Sequence, residues 1–424
     1  MTGVFGPSLI ESVKARKIFN SRGSPTIEIE VSTKKFSART EAPSGASTGL
    51  HEVVSFPGGR VEDAIRIVEE VVAPKLIGLD VEKQKDIDRL LHNIDGTKNF
   101  KRIGGNTSIA ISLAISKVAA ASKNRLFFQQ LSGMNPVALP HPLGNVLGGG
   151  KHASGRAPDI QEFLVLPVKA ESFTEAAYAN IRVHVRVREL LEDVDITFTG
   201  GKGDEGAWAP NLDSNAALDV VSRASEEISS ELGVDVRVGL DVASSSLWDI
   251  KKESYVYLRE GVRRGPGEQV DYILNLIRTY NLIYVEDPFH EEDFEGFTEL
   301  TKKVKSCLIC GDDLFTTNPE RLRRGVKSRA CNSIIIKPNQ IGTLTETVET
   351  VILAKSSGYV PVASHRSGEA CDTFLAHLAV GLNCPIIKVG VVGGERIAKI
   401  NELLRIEEFL GERAKISEID IEGI

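Results

Sequence analysis

Between Val236 and Lys388 six short apolar runs each end in a charged or polar residue. They read VRVGLD to Asp241, LIYVED through Glu286, CLICGD to Asp312, SIIIK to Lys337, YVPVASH to His365 and PIIK to Lys388. After a longer first interval the run ends recur roughly every 25 residues, one strand plus one helix, which is the cadence of parallel βα units. In a barrel of such units the strand interiors build the core and the residues at their C-terminal ends converge on one face. Three acids, two lysines and a histidine are thereby predicted to share a pocket.

Upstream of Val236 the pattern adds two candidate strands, 163–167 and 196–199, and completes the count of a closed eight-stranded barrel. Helical periodicity at about 172–192, 213–232, 268–280, 293–305, 343–357 and 395–410 fills most intervals or follows the last strand. The first third of the chain obeys another rule. Residues 8–36 alternate, most clearly in Thr26-Ile-Glu-Ile-Glu-Val31, where Ile27, Ile29 and Val31 share one face. Helix-like stretches at about 60–75, 81–94 and 106–123 follow, so an α+β cap domain is expected ahead of the barrel. The segment 134–142 carries three prolines and is read as the boundary between a cap of residues 1–134 and a catalytic α/β barrel of residues 143–424.

Composition narrows the class. With 424 residues, 42% hydrophobic and 26% charged, the chain is long enough for two cores. No apolar run approaches the roughly 20 residues of a membrane span, and MTGVFGPSLIESVKARK has no basic segment followed by an apolar one. A cytoplasmic protein with no membrane span is expected. A net charge of −7 argues against a general nucleic-acid surface, which shows a basic excess. Five cysteines, an odd number, suit a reducing compartment, and Cys307 and Cys310 lie inside a strand-like run as buried thiols rather than as a metal or redox motif.

Packed together, Asp241, Glu286 and Asp312 would repel one another, and a hard divalent cation relieves that repulsion. Oxygen-only ligands favour magnesium or manganese over zinc. Taken singly, each acid reads equally well as solvated or as a helix cap, and Asp287 and Asp313 leave the choice within each acidic pair open. Lys337 and Lys388 close their runs beside the same site. A lysine acting as base must be neutral, so its pKa of about 10.4 has to fall roughly 3 units, which nearby cations supply; the plainer role is to neutralise the acids. His365-Arg366-Ser367 offers a guanidinium fork and a hydroxyl suited to phosphate.

Gly148-Gly-Gly-Lys-His152-Ala-Ser-Gly155 lacks the spacing of a Walker loop. Gly201-Lys-Gly-Asp-Glu-Gly206 matches G-x-G-x-x-G, yet Asp204 and Glu205 would repel a pyrophosphate there, and acids on a turn suit proton transfer better. The small-residue loop Ala42-Pro-Ser-Gly-Ala-Ser-Thr-Gly49 suits either a plain linker or, over 42–52, a mobile lid.

Taken together these residues resemble enolase, the glycolytic phosphopyruvate hydratase family, from about Val13 to Glu408. The likeness is carried by Ser21-Arg-Gly, Pro43-Ser-Gly-Ala-Ser-Thr-Gly49, Gln161-Glu162-Phe163, Gly203-Asp-Glu-Gly206, Gly239-Leu-Asp241, Glu286-Asp-Pro-Phe289, Gly311-Asp-Asp-Leu314, Lys337-Pro-Asn-Gln-Ile-Gly-Thr343, Ser364-His-Arg-Ser-Gly-Glu369 and Leu403-Leu-Arg-Ile-Glu407. The resemblance implies reversible dehydration of 2-phospho-D-glycerate to phosphoenolpyruvate and water. It assigns a first magnesium to Asp241, Glu286 and Asp312 and a second to Ser47 on the lid, in line with the one or two ions described for the superfamily. It makes Lys337 the base at C2, and Glu205, paired with Glu162, the acid at C3. Arg366 and Ser367 would hold the phosphate, Lys388 the carboxylate, and His152 and His365 would line the pocket. It also implies a homo-oligomer, a dimer or an octamer.

The chain departs from the family pattern at Asn20, Ser24, Ala207, Trp208, Cys371 and 389–394, and has one extra residue between His152 and Glu162. None removes a proposed ligand or proton-transfer residue, so an active, divergent enzyme is expected, compatible with an archaeal source. Two other readings remain: a lyase or racemase acting on a non-phosphorylated carboxylate, and a non-catalytic binding protein.

Overall fold

The computed structural model describes residues 8–46, 48–153 and 156–419. Strands β1 (Ile10–Phe19), β2 (Pro25–Thr33) and β3 (Ser37–Glu41) form an antiparallel sheet in sequence order. The alternation in β2 has its expected effect: Ile27, Ile29 and Val31 are fully buried. They share a core with one side of the helix Gly105–Ser122, through Ala110, Ile111, Ala114, Ile115 and Val118. The other side, with Ile109 and Leu113, belongs to the larger core of the barrel. A helix wedged between two cores is apolar all round, which is why this one shows little amphipathic contrast.

Eight strands close the barrel: β4 (His141–Gly148), β5 (Glu162–Pro167), β6 (Val236–Asp241), β7 (Tyr284–Glu286), β8 (Leu308–Gly311), β9 (Ser333–Ile336), β10 (Val360–Ser364) and β11 (Ile386–Lys388). The last six match the six apolar runs. Of the first two, β5 is the expected run 163–167 and β4 corrects the expectation. The segment 196–199 is not a strand: Asp195 folds it into a turn by accepting hydrogen bonds from the Thr197 amide, the Thr197 hydroxyl and the Asn211 amide, and Ile196 is 98% exposed. The missing stave is β4, which starts inside the proline-rich segment.

Nor is the barrel all parallel. Strand β5 runs antiparallel to both β4 and β6. Among the described residues only a short 3-10 turn, Gly150–His152, lies between β4 and β5, so there is no crossover helix to bring the chain back parallel. Two helices, Phe173–Val194 and Ser214–Leu232, then precede β6. Helices Pro319–Ser328 and Phe374–Gly381 complete the outer layer and were not apparent in the sequence pattern.

Candidate active site

Inside the barrel Leu143, Leu164, Leu166, Tyr284, Leu308, Ile335, Val362 and Ile386 pack together. Because strand side chains alternate, the residue two places nearer the mouth, forward along the other strands and backward along the antiparallel β5, faces inward at the next level up. That rule brings Asn145, Glu162, Glu286, Lys337, Ser364 and Lys388 to the mouth. Pairing of β5, β6 and β7 sets Glu162, Asp241 and Glu286 side by side at one level. Gly239 below Asp241 leaves room for a close neighbour: a Cβ there would crowd Tyr284 Cβ at 3.0 Å. The space lets Tyr284 donate from Oη to Glu286 Oε2 at 2.7 Å.

Lys388 Nζ lies 2.8 Å from Glu286 Oε2, 2.9 Å from Asp241 Oδ2 and 3.1 Å from Glu162 Oε2, all fully enclosed. Burial pulls this ammonium down, but its three anionic partners outweigh that and hold it well above the usual lysine range. Lys337 Nζ is ion-paired with Asp312, whose other oxygen accepts from Gln340 Nε2 at 2.9 Å. Burial pulls Lys337 down, Asp312 more than offsets it, and the lysine is pushed up to about 12. Thus Asp312 opposes the fall demanded of a lysine base.

The acidic pairs separate by role. Asp287 accepts from the amides of Asp312 and Asp313 at 2.9 and 2.8 Å, so it pins the β8 turn, while Glu286 points into the barrel. Asp313 lines the pocket beside Asp312, close under Gly49 of the loop.

Glu205 enters from the loop between the two helices that follow β5. It is 4% exposed and has φ 68°, ψ 4°, a left-handed conformation unusual for a side chain other than glycine. Asn145 Nδ2 donates to its Oε2 at 3.0 Å, and His365 Nε2 lies 3.2 Å and His152 Nδ1 4.0 Å from Oε1. Burial alone would raise Glu205, but His365, His152 and Arg396 hold it well below the usual carboxylate range. Glu162, raised by burial and then by Glu205, favours its proton and sits 3.2 Å from His152 Nδ1. His152, lowered by burial but raised further by Glu205 and Glu162, stands at about 8.

Arg366 is clasped by Glu52, with Nη2 to Oε1 at 2.9 Å and Nη1 to Oε2 at 3.1 Å, and Nη1 also donates to Asn339 Oδ1 at 3.0 Å. Glu52 belongs to the 42–52 loop, which is closed on the barrel. Ser44 and Gly368 exchange amide-to-carbonyl hydrogen bonds at 2.8 Å, the Ala46 amide donates to Ser367 Oγ, and the Leu50 amide donates to Glu291 Oε2 at 2.6 Å. Ser47 lies outside the described residues. Asn20, one of the departures, fits without strain: its Oδ1 accepts from the amides of Arg22 and Ser24, and its Nδ2 donates to Ser44 Oγ.

His152, Glu162, Glu205, Asp241, Asp312, Lys337, His365, Arg366, Ser367 and Lys388 therefore line one cavity, about 30 Å³ with the loop closed. Sequence reasoning missed Asn145, Glu52, Tyr284 and Arg396. Only Asn145 and Tyr284 had a usable signal, their two-residue offsets from Leu143 and Glu286.

The donor set fits a divalent cation. Lys388 supplies one positive charge to three carboxylates, and Glu286 Oε1 is fully buried with no hydrogen-bond partner. Burial, and then Asp241, push Glu286 well above its ordinary range, the penalty an added cation would remove. Among the described residues Asp287, Asp312 and Asp313 also bring ligand oxygens within 4.8 Å of one another, whereas Asp241, Glu286 and Asp312 are spread around the two lysines.

Fold and pocket define an α/β-barrel protein whose mouth is ringed with carboxylates, lysines and arginine under a cap-domain loop, an arrangement for a small polyanion and a hard cation. Comparison with known proteins makes this specific. The family model described as enolase, N-terminal domain, matches residues 10–131, and that described as enolase, C-terminal TIM barrel domain, matches residues 136–422. Proteins named enolase from Methanosphaera stadtmanae and Methanothermobacter thermautotrophicus are 56% and 53% identical, each over 95% of this chain and over 98% and 97% of their own lengths. One from Pyrobaculum aerophilum is 48% identical over 96% of this chain and 98% of its own. The chain belongs to the enolase family.

Proposed function

We propose that this chain is a phosphopyruvate hydratase, a lyase that reversibly dehydrates 2-phospho-D-glycerate to phosphoenolpyruvate and water, with two magnesium ions per active site. The observation that carries the reading is the opposition of Lys337 and Glu162 in the barrel. Their strands, β9 and β5, stand four staves apart in a ring of eight, so the base and Glu162, the partner of the acid Glu205, address a bound substrate from opposite sides.

Asp241, Glu286 and Asp312 would hold the first ion and Ser47 the second. When bound they supply positive charge to a carboxylate that becomes more anionic as C2 loses its proton. Lys337 Nζ takes that proton. Glu205, with Glu162 and His152 around it, protonates the departing C3 hydroxyl, and the raised proton affinity of Glu162 makes it the reservoir. Lys388 holds the substrate carboxylate, while Arg366 and Ser367 hold the phosphate. His152 and His365 exclude water from that end of the cavity.

The protein works as a homo-oligomer, a dimer or an octamer, in the cytoplasm. Among the described residues no helix is long and apolar enough to cross a membrane.

The test is the ultraviolet absorbance of the enol double bond, followed with purified protein and 2-phosphoglycerate, first with magnesium and then after chelation. A metal-dependent rise is expected. Folded protein that gives no rise, yet turns over a non-phosphorylated acid, would replace this reading with that of another member of the superfamily.

A further inference from the structure

Arg396 lies in the first turn of the helix Gly394–Leu410 and is fully buried. Its Nη1 contacts His365 Nδ1 at 2.7 Å and the Arg366 carbonyl at 2.6 Å, and its Nη2 contacts the Ser367 carbonyl at 2.7 Å. Its Nε faces Glu395 Oε1 at 3.2 Å. A guanidinium has five donors, no acceptor, and does not deprotonate in proteins. His365 Nδ1 must therefore accept. A second donor agrees: the Gly390 amide approaches the same Nδ1 at 3.3 Å. An imidazole whose Nδ1 lone pair is engaged twice carries its proton on Nε2, and Nε2 faces Glu205 Oε1 at 3.2 Å.

We infer that Arg396 is a positioning residue that holds His365 as the neutral Nε2–H tautomer aimed at Glu205, and that it fixes the backbone of the 365–367 turn carrying the phosphate-binding groups. This rests on the roles proposed above for Glu205, Arg366 and Ser367. The consequence is chemical. Glu205 receives hydrogen bonds from Asn145 and from a neutral His365, so it rests as a carboxylate, with the more basic His152 further off at 4.0 Å. The groups facing His365 are Glu205 at Nε2, Arg396 at Nδ1 and, further out, Glu369, which is paired with Lys399 at 2.9 Å; His152 lies beyond Glu205. Burial is the larger influence and pushes His365 down to about 4, with Arg396 adding to it against the pull of Glu205.

The segment 389–394, where the chain departs from its family, keeps this geometry. A Cβ at Gly390 would meet the Glu205 carbonyl at 2.4 Å and Arg396 Cγ at 3.1 Å, so only glycine lets the strand pass between them. A Cβ at Gly206 would meet the Val392 carbonyl at 2.6 Å.

The experiment is NMR of the full-length enzyme with ring-15N histidine, the His365 signals being assigned by their loss in His365→Gln. One His365 nitrogen is expected in the protonated range and the other in the acceptor range, both unchanged from about pH 5 to about pH 8. Arg396→Gln and Arg396→Lys are compared with it. Arg396→Gln frees Nδ1 to protonate, so a new inflection in kcat against pH is expected near the ordinary histidine value of about 6.5, with kcat at neutral pH at least about 10-fold lower. Arg396→Lys, which keeps a donor and a charge, removes most of that inflection. A wild-type signal that titrates near neutrality, or one with the proton on Nδ1, overturns the inference even if the Arg396 variants fail to fold. Absence of turnover in the wild type would instead strike the proposed reaction and leave the tautomer measurement standing.

Discussion

The residues that close each barrel run divide into those that face inward and those that serve the backbone, and only the first kind was legible in the sequence. Glu286 follows Tyr284 by two and Lys388 follows Ile386 by two, so the period of a strand placed both in the mouth. Asp287, next to Glu286, has the same composition and the opposite task, since it ties down the amides of Asp312 and Asp313. Which member of a pair does which was not readable, because it depends on strand ends set by partners far away in the chain. Two predictions belong at this scale. Lys337→Ala should lower turnover by at least about 100-fold while circular dichroism stays unchanged, because a proton-transfer group contributes that much and Asp312 keeps its hydrogen bond from Gln340. Unchanged turnover in this variant would favour a binding protein over an enzyme. Glu52→Ala should raise KM for 2-phosphoglycerate several-fold with a smaller effect on kcat, since Glu52 both orients Arg366 and tethers the loop to it. A lower KM would mean instead that Glu52 competes with the substrate phosphate, and steady-state kinetics separates the two.

At the level of elements, the sequence misled where local pattern and tertiary role part company. Strand β4 contains Pro142, Gly144 and Gly148, is buried at all eight positions and shows no alternation, so it reads as a linker. The alternating 196–199 looks like a strand but is a turn, and its Phe198 packs edge-on against Trp208. That loop carries Glu205, and Trp208 within it departs from the family pattern. The structure settles the placement of the ring. Trp208 stacks on His184 at 4.7 Å between ring centres, lies under the Lys202 ammonium at 4.5 Å and donates from Nε1 to the His184 carbonyl at 2.8 Å. His184 Nε2, for its part, faces the Gly206 carbonyl at 3.0 Å, directly after the left-handed Glu205. Trp208→Ala should therefore reduce kcat far more than it raises KM and should lower the unfolding temperature, truncation of a buried aromatic costing about 3–5 kcal/mol. Trp208→Phe should recover most of both. A Trp208→Ala enzyme with full kcat would show that the loop does not rely on this ring.

Across the whole molecule, the cap loop, the barrel mouth and the outer helices are joined by buried charges, so stability and activity respond to ions and protons differently. Magnesium titrated into metal-stripped protein should raise the unfolding temperature in a concentration-dependent way, since binding to the folded state alone stabilises it by mass action. Stripping should abolish turnover without unfolding, because Lys388 and Lys337 already pair with the acids of the site. Collapse of the fold on stripping would make the metal structural. The proton response is set elsewhere, where the helices Phe374–Gly381 and Gly394–Leu410 are bridged by His377 Nε2 and Glu402 Oε1 at 3.1 Å. That hydrogen bond is the main reason Glu402 is held down to about 2 from an ordinary value of 4.5. A depressed carboxylate binds fewer protons folded than unfolded between those two values, so stability rises with pH through that window. The contribution is complete above the ordinary value and disappears as pH falls toward about 2. Urea unfolding of the wild type and of Glu402→Gln should therefore converge as the pH is lowered from neutrality through that window. If the difference between them stays constant down to the acid limit, the His377 bridge does not link these helices to pH, and acid lability must be sought in the buried carboxylates of the barrel mouth.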